Sequence, residues 1–184
     1  LRVVDDAMND VIRDGKSVGE IVARAPWLTQ TYLKDGNATT ELWRGGYLHT
    51  GDVGRFDEKG NLIITDRVKD VIKSGGEWIS SLTLESIASS VPGVTEVAAI
   101  SIPDPRWGER PMLLVVRDTH SKNTVQEMIK IAFSEAVSVG IIPKWATPNR
   151  IDFVNEITKT SVGKIDKKAL RAAIQKAGKH RKDK

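Results

Sequence analysis

Three places in the sequence combine glycine with side chains that could do chemistry. Asp52 follows a threonine and a glycine, Gly75 and Gly76 form a pair, and Lys164 follows Gly163. An ionised carboxylate accepts hydrogen bonds from two hydroxyl donors, which suits a cis-diol. A lysine beside a glycine places a positive charge on a loop that can bend, and paired glycines let the backbone approach a ligand closely. Each pattern alone also has a plain interpretation, as a turn aspartate, a turn or an exposed lysine.

The bulk properties limit what can position these residues. The 184 residues are 40% hydrophobic and 28% charged, which fits one core or two small cores joined by a hinge. The chain has no cysteine, so disulfides, cysteine zinc sites and thiol nucleophiles are excluded. There is no apolar run of roughly 18 to 20 residues and no signal peptide, which argues against a membrane span. The opening residues, from Leu1, resemble a strand entering a turn, and we expect the chain to be a fragment.

The positive charge lies at one end of the chain. Residues 176–184 hold five basic residues and one acidic residue, a net charge of +4 that equals the charge of the whole chain. Residues 1–175 are therefore neutral overall, and the basic segment contains no aromatic residue for base stacking. We expect a solvated tail, with an anion-binding arm as the alternative. A nucleic-acid partner is disfavoured.

Hydrophobic periodicity predicts an α+β fold. Residues 1–65 are predicted to be β-rich, with strands near 19–24 and 62–65 and a turn at 57–61. Beyond them, we expect helices and strands to alternate. The first predicted helix is capped by Ser81 and stopped by Pro92 and Gly93, and strands follow at 94–102 and 112–116. A second helix begins with a capping box of Thr124 and Glu127. A strand at 150–154 and a helix from about Asp166 complete the chain. The result is a small carboxy-terminal domain, with a central sheet flanked by helices, after a β-rich remnant of a larger domain.

Taken together, three segments resemble the last three core motifs of the adenylate-forming acyl-CoA ligase superfamily. They are residues 47–52, 65–81 and 159–165, in this order and at these separations. The sequence of residues 74–81, SGGEWISS, is similar to that of the medium- and long-chain fatty-acid branch of this superfamily. The resemblance covers essentially the whole chain. It implies that residues 1–66 end the amino-terminal adenylation domain, 67–70 form a hinge, 71–175 form a mobile carboxy-terminal domain, and 176–184 form the basic tail.

The resemblance implies a two-step reaction that uses ATP, Mg²⁺ and CoA. A fatty acid first displaces pyrophosphate from ATP to give acyl-AMP, and CoA then displaces AMP. Two anions meet in the first step, so fixed positive charge is required. The resemblance assigns this charge to Lys164, and it assigns Asp52 and Arg67 to the nucleotide. A strand-end salt bridge is the alternative role for Arg67, and a structural or substrate-lining role is expected for His49.

The same resemblance assigns the hinge and the CoA site. It makes Lys69 the pivot, with a surface lysine in a charge-alternating run as the alternative. The residues implied for CoA are Gly75 and Gly76 beside the pantetheine tunnel, with Trp107 and Trp145 against the adenine. Core packing is the alternative for both tryptophans. Further candidates are Lys73, Trp78 and Lys144, and no metal ligand is assigned.

Three positions depart from the family pattern. Thr158 replaces a frequent proline, which is expected to loosen the final lysine loop. Thr83 replaces a frequent glutamate while Glu85 keeps the more constant one, and Thr147 replaces a frequently basic residue near the CoA adenine, where Lys144 can substitute. The phosphate loop, the adenine pocket and the acyl tunnel of the family are not in this sequence. We therefore expect the chain alone to be inactive.

Two other classes of function compete with the ligase. A non-catalytic module that binds CoA or a partner is the main alternative, but Asp52, Arg67 and Lys164 have a purpose only in catalysis. A nucleic-acid binder conflicts with the neutral body of the chain. The expected partners are a fatty acid, ATP, CoA and the amino-terminal domain of the same protein, in the cytoplasm.

Overall fold

The computed structural model describes residues 1–118 and 125–180, with side chains described up to residue 177. They form two compact units, Leu1–Val71 and Ile72–Lys184. Thr124 of the predicted capping box and residues 181–184 of the predicted basic tail lie outside the described residues. Among the described residues, no helix is long and apolar enough to span a bilayer.

The first unit is built on a four-stranded antiparallel sheet. Its strands are β1 (Arg2–Val4), β2 (Gly19–Ala23), β3 (Leu48–Phe56) and β4 (Leu62–Arg67), in the order β1-β2-β3-β4. Apolar side chains from three of these strands are buried, among them Val4, Val22 and Val53. The β-rich prediction for this region is confirmed.

One helix of the first unit was not predicted. Helix α1 (Gly36–Leu42) begins after Asp35, whose carboxylate accepts a 2.9 Å hydrogen bond from the Ala38 N–H. A short 3₁₀ helix at Arg44–Gly46 follows. The segment contains two threonines and a glycine, which are weak helix formers, so the cap rather than propensity identifies the helix.

The predicted turn at 57–61 connects β3 to β4. The Asp57 carboxylate accepts hydrogen bonds from the backbone N–H groups of Lys59 and Asn61, at 2.9 and 2.7 Å, and from the Asn61 side chain at 2.9 Å. These bonds favour the ionised carboxylate, and the pair from Asn61 lowers the pKa of Asp57 most. Gly60 takes a φ of 82°, which L-residues seldom adopt. The turn fixes the register that places β4 beside β3.

The second unit has a five-stranded sheet and three helices. Its strands are β5 (Ile72–Ser74), β6 (Glu77–Ile79), β7 (Val94–Asp104), β8 (Gly108–Arg117) and β9 (Arg150–Phe153). They follow the order β6-β5-β8-β7, and β9 pairs with β8 in the parallel sense. The helices are α2 (Ser81–Ser89), α3 (Val125–Ser138) and α4 (Lys167–His180), and a 3₁₀ helix covers Lys144–Ala146.

Strands β7 and β8 are buried on both faces. Side chains on one face, such as Ala99 and Leu113, pack with α2 and α3, while their neighbours Ile100 and Leu114 pack against Ile157 and Leu170 on the other face. Alternate strand residues point to opposite faces, so helices on both sides require continuous apolar runs. The predicted sheet flanked by helices is confirmed.

One predicted helix start needs correction, and the predicted start of α4 at about Asp166 is confirmed. Ser80 rather than Ser81 caps α2, because the Ser80 Oγ accepts a 3.2 Å hydrogen bond from the Thr83 N–H. Ser81 is the first helical residue and is fully buried. Helix α4 begins at Lys167, and Asp166 accepts a 2.9 Å hydrogen bond from the Ala169 N–H. Adjacent serines at 80 and 81 cannot be distinguished by residue type, since either could have capped the helix.

Candidate functional site

Asp52 and Arg67 lie side by side in the first unit. They are register partners on β3 and β4, and the Asp52 Oδ1 is 3.5 Å from the Arg67 Nε. Their side chains are 36% and 58% exposed, so both remain open to a ligand. The hairpin therefore brings together a carboxylate that accepts hydrogen bonds and a guanidinium that donates them.

A buried histidine supports the backbone just before Asp52. His49 Nδ1 lies 2.7 Å from Glu20 Oε2, and its Nε2 lies 3.1 Å from the Arg44 carbonyl oxygen. Glu20 Oε1 also accepts a 3.3 Å hydrogen bond from the N–H of Gly51, which has a φ of 74°. Both ring nitrogens of His49 are engaged and 9% of its side chain is exposed, which fits a structural role. Glu20, which was not among the residues predicted from the sequence, holds this part of β3.

Lys69 lies in a turn that follows β4. The Arg67 carbonyl accepts hydrogen bonds from the N–H groups of Asp70 and Val71, at 2.9 and 2.8 Å. The Val68 N–H donates to the Gly51 carbonyl at 2.9 Å, which ties the start of the turn to β3. Lys69 is exposed within this turn, and the first compact unit ends two residues later, at Val71.

The glycine pair forms the turn between β5 and β6 and touches a tryptophan. Gly75 and Gly76 have φ values of 62° and 88°. The Gly75 N–H donates to the Trp107 carbonyl at 2.8 Å, and a Cβ at Gly75 would lie only 2.9 Å from the Trp107 Cε3. Nothing lies within 4 Å of a Cβ built at Gly76. The indole of Trp107 thus covers one glycine while the other stays open.

Trp107 combines a fixed backbone with a half-exposed ring. The Asp104 carboxylate accepts 2.9 Å hydrogen bonds from the N–H groups of Arg106 and Trp107. The Arg106 guanidinium lies 4.8 Å from the Trp107 ring centroid, and 43% of the residue is exposed. Trp107 is not a core residue, so the alternative of core packing does not describe it.

Lys73 and Trp78 are register partners across the β5–β6 hairpin. The Lys73 Nζ lies 4.5 Å from the Trp78 ring centroid, within the range of a cation–π interaction. The Lys73 backbone N–H donates to Glu109 Oε2 at 2.9 Å. These contacts hold the two residues beside the glycine turn.

The segment that carries Trp145 is connected to β8 by Arg110, a residue that was not among those predicted from the sequence. The Trp145 carbonyl accepts a hydrogen bond from Arg110 Nη1, and 40% of Trp145 is exposed. The guanidinium also reaches the Ser74 Oγ, next to Gly75, at 3.4 Å. Lys144 is exposed at the first position of the same 3₁₀ helix. An arginine at the start of an apolar strand carries no sequence signal for partners 35 residues away.

Lys164 lies on a tight loop in the second unit. The loop is closed by a bridge between Lys159 and Ile165, and Thr160 exchanges further backbone bonds across it. The Thr160 N–H donates to the Lys164 carbonyl at 2.7 Å, and the Gly163 N–H donates to the Thr160 carbonyl at 2.9 Å. Gly163 has a φ of 79°, and Lys164 is exposed. The loop is well hydrogen-bonded although threonine occupies position 158.

A buried ion pair lies just after this loop. The Lys167 Nζ is 2.8 Å from Glu85 Oε1 and 2.7 Å from the Ser81 Oγ. Glu85 Oε1 also accepts a 2.8 Å hydrogen bond from the Ala99 N–H. The pair joins the first turn of α4 to α2 and β7, and its members are 8% and 14% exposed.

The predicted site residues fall into groups within the two units. Asp52, Arg67 and Lys69 belong to the first unit, and the residues from Lys73 onward belong to the second. Within the described ranges, no three acidic, histidine or cysteine residues cluster as metal ligands. These residues alone do not form a site for the Mg²⁺ that the resemblance implies.

Comparison with known proteins finds a family match within the second unit. Residues 83–164 match the family model described as AMP-binding enzyme C-terminal domain, and this match ends at Lys164. The chain is 42% identical over 172 residues to a long-chain-fatty-acid–CoA ligase of Thermus thermophilus, covering 93% of the chain and 31% of that relative. It is 38% identical over 179 residues to a 3-methylmercaptopropionyl-CoA ligase of Ruegeria lacuscaerulensis, covering 96% and 31%.

The fold is also found in solved structures. The anthranilate CoA ligase AuaEII, solved in complex with anthranoyl-AMP, superposes with a TM-score of 0.78 at 27% sequence identity. That match covers 94% of this chain and 33% of the solved chain. The chain thus spans about a third of the length of the relatives it matches.

Proposed function

We propose that the chain is part of an AMP-forming acyl-CoA ligase, from the premise that residues 83–164 match the AMP-binding enzyme C-terminal domain. The ligase activates a fatty acid with ATP and passes the acyl group to CoA. The relatives support this reaction, since two of them are named as CoA ligases and a third was solved with an acyl-AMP.

The pairing of Asp52 with Arg67 carries the proposal. The two residues are fifteen positions apart in sequence, yet the hairpin places them 3.5 Å apart with both side chains accessible. A carboxylate can accept from two neighbouring hydroxyls, as on a ribose, while a guanidinium suits a ribose or phosphate oxygen. A nucleotide offers both kinds of group.

Lys164 supplies the positive charge for adenylation. When the substrate carboxylate attacks the α-phosphate, an oxygen–phosphorus bond forms and pyrophosphate leaves, so negative charge concentrates around phosphorus. A lysine held next to the closing bridge of a hydrogen-bonded loop can offset that charge without reorganising the backbone. Mg²⁺ bound with ATP in the full-length ligase would supply further positive charge at the phosphates.

The second step uses the surface around the glycine pair. The thiol of CoA attacks the acyl carbonyl and AMP leaves. Gly75 and Gly76 border the path of the pantetheine chain, and the exposed rings of Trp107 and Trp145 receive the adenine. The same surface is lined by Lys73, Trp78 and Lys144. Lys144 lies near the CoA phosphates and supplies the positive charge that is missing at Thr147, a position that is often basic in the family.

The two reactions share one mobile domain in this proposal. Residues 67–70 are the hinge with Lys69 as its pivot, residues 71–175 rotate, and residues 1–66 belong to the adenylation domain. A turn whose backbone can change φ and ψ at one or two residues is sufficient for such a rotation. The use of ATP and CoA favours a cytoplasmic location.

The acyl substrate is a fatty acid in this proposal. The first-named relative is a long-chain-fatty-acid–CoA ligase, and its 42% identity covers nearly the whole chain. The second relative acts, by its name, on a short sulfur-containing acid. A survey of acids from short to long in the full-length ligase tests this assignment, and a preference for a non-fatty acid would contradict it.

Lys164→Ala in the full-length ligase that contains this chain tests the function. We expect adenylation to fall by about 10²-fold, the scale of losing one preorganised charge contact. Thioester formation from supplied acyl-AMP should change much less, because the charge acts on the phosphate of ATP. Pyrophosphate exchange and acyl-CoA release measure the two steps.

Lys168→Ala is the matched control, because Lys168 is an exposed lysine four residues away on α4. It should leave both steps unchanged. Equal losses in both steps for Lys164→Ala would mean that Lys164 is structural. A full-length protein that binds CoA yet forms no acyl-AMP would instead support the non-catalytic module.

A further inference from the structure

Arg110 makes an unusual set of contacts for a residue near the start of a strand. Its Nε and Nη2 both donate to the Asn149 Oδ1, at 3.0 and 2.5 Å. Its Nη1 donates to the Trp145 carbonyl at 2.5 Å, and its Nη2 to the Thr147 carbonyl at 3.3 Å. One guanidinium therefore fastens three positions of the same segment.

This segment has little regular structure of its own. It contains one 3₁₀ turn at Lys144–Ala146, and it rejoins the sheet when the Asn149 N–H donates to the Pro111 carbonyl at 3.0 Å. Ala146 is 1% exposed and anchors the segment to the core, while the Trp145 ring beside it points outward. The planar fork of an arginine can satisfy several fixed acceptors at once, whereas a lysine ammonium cannot reproduce that geometry.

We propose that Arg110 is a positioning residue that fixes Trp145 for the adenine of CoA. The inference rests on the proposed CoA site. Arg110 holds the carbonyls on both sides of Ala146, and so it sets the angle at which the Trp145 ring meets solvent. The selectivity of the enzyme for CoA over thiols that lack adenine depends on this contact.

Thioester formation from supplied acyl-AMP in the full-length ligase, with CoA or 4′-phosphopantetheine as the thiol, tests the inference. Arg110→Ala should raise the KM for CoA by about tenfold, as expected when part of a base–aromatic stack is lost. The KM for 4′-phosphopantetheine should stay within about twofold, since that thiol has no adenine. Trp145→Ala should give the same pattern, and the double variant should add nothing further because the two residues act as one unit.

Three further variants keep the test decisive. Arg110→Lys retains the charge but loses the fork, and it should lie between wild type and Arg110→Ala. Arg150→Ala is the matched control, because Arg150 lies on the neighbouring strand β9 and pairs with Asp152. It should leave the ratio of the two KM values unchanged. Trp107→Ala reports a second ring that is not held by Arg110, and its effect should add to that of Arg110→Ala.

Several results would overturn the inference. Equal rises in KM for both thiols would show that Arg110 only maintains the fold, as would an unchanged KM ratio in a stable variant. Additive effects of Arg110→Ala and Trp145→Ala would separate the two residues. A wild-type enzyme that forms acyl-AMP but transfers nothing to either thiol would instead refute the proposed function, and this inference with it.

Discussion

Gly75 is subject to two constraints that can be separated by experiment. Its φ of 62° disfavours any residue with a Cβ, and the ring of Trp107 occupies the space that a Cβ would need. Gly76 shares the first constraint, with a φ of 88°, but not the second. Comparison of the two positions therefore isolates the contact between Gly75 and the indole.

We expect Gly75→Ala to destabilise the full-length ligase more than Gly76→Ala. Both alanines carry the left-handed penalty, about 1–2 kcal/mol, and the overlap with Trp107 adds about 1 kcal/mol or more. Denaturant unfolding measures the difference. In a Trp107→Leu background the two alanines should cost the same, and a persistent difference there would exclude the ring as its cause.

Local backbone features could be predicted from residue types, whereas contacts between residues distant in sequence could not. The glycines at 75, 76 and 163, which were assigned from the sequence to a close approach or a bend, all adopt a positive φ that L-residues seldom enter. The partners of Arg110 lie 35 to 39 residues away. Such contacts depend on the folded path of the chain, and a single arginine in the sequence does not encode it.

Three elements of the second unit meet at a buried ion pair. Lys167 from α4 contacts Glu85 and Ser81 from α2, and Glu85 accepts a hydrogen bond from the backbone of β7. An ion pair this deeply buried contributes little net stability while intact, but it is costly to break. Either charge left alone would be enclosed by protein.

Glu85→Gln should therefore destabilise the full-length ligase by about 3 kcal/mol. The glutamine can still accept from the Ala99 N–H, so the loss reports the charge rather than the hydrogen bond. Adding Lys167→Met removes the unpaired ammonium and should recover most of the stability. Chemical denaturation of the two variants checks this, and a double variant no more stable than Glu85→Gln would contradict the explanation.

At the scale of elements, periodicity located the three helices of the second unit and its strands β7, β8 and β9, whereas the short strands β5 and β6 were not predicted. Continuous apolar runs at β7 and β8, and helical spacing in α2 and α3, reflect burial that the sequence must encode. Helix α1 was missed because its apolar content is low and it depends on the Asp35 cap. The cap of α2 was misplaced by one residue, because either of the adjacent serines could cap the helix and only the structure shows that Ser81 is buried and bonded to Lys167.

At the scale of the whole molecule, the predicted site is divided between two units, and the chain spans about a third of its relatives. We expect the purified 184-residue chain to make no acyl-AMP from ATP and fatty acid. The family's phosphate loop and acyl tunnel are absent from the sequence, so Lys164 has no bound phosphate to act on. Pyrophosphate release measures this, and robust release by the purified chain would contradict the expectation.

The backbone between the two units gives the hinge proposal a defined location. Val68 is tied to β3 through the Gly51 carbonyl, and Ile72 is the first residue of β5. The residues between them form the turn closed on the Arg67 carbonyl. The alternative for Lys69 is a surface lysine in a charge-alternating run. Strand β4 ends at Arg67, and Lys69 lies in the turn that follows. A turn can change its dihedral angles with fewer lost hydrogen bonds than a strand within a sheet.

Lys69→Pro in the full-length ligase tests this pivot. Proline fixes φ at about −65° and disfavours helical dihedral angles at the preceding Val68, so the mobile domain should be held on one side of its rotation. We expect pyrophosphate exchange with fatty acid to persist while transfer to CoA fails. Lys69→Ala removes the charge and leaves the backbone free, and it should retain most of both activities. Both half-reactions and the Tm of each variant are the measurements. If Lys69→Pro lowers both activities in parallel, together with the Tm, the residue has a structural role and the pivot lies elsewhere.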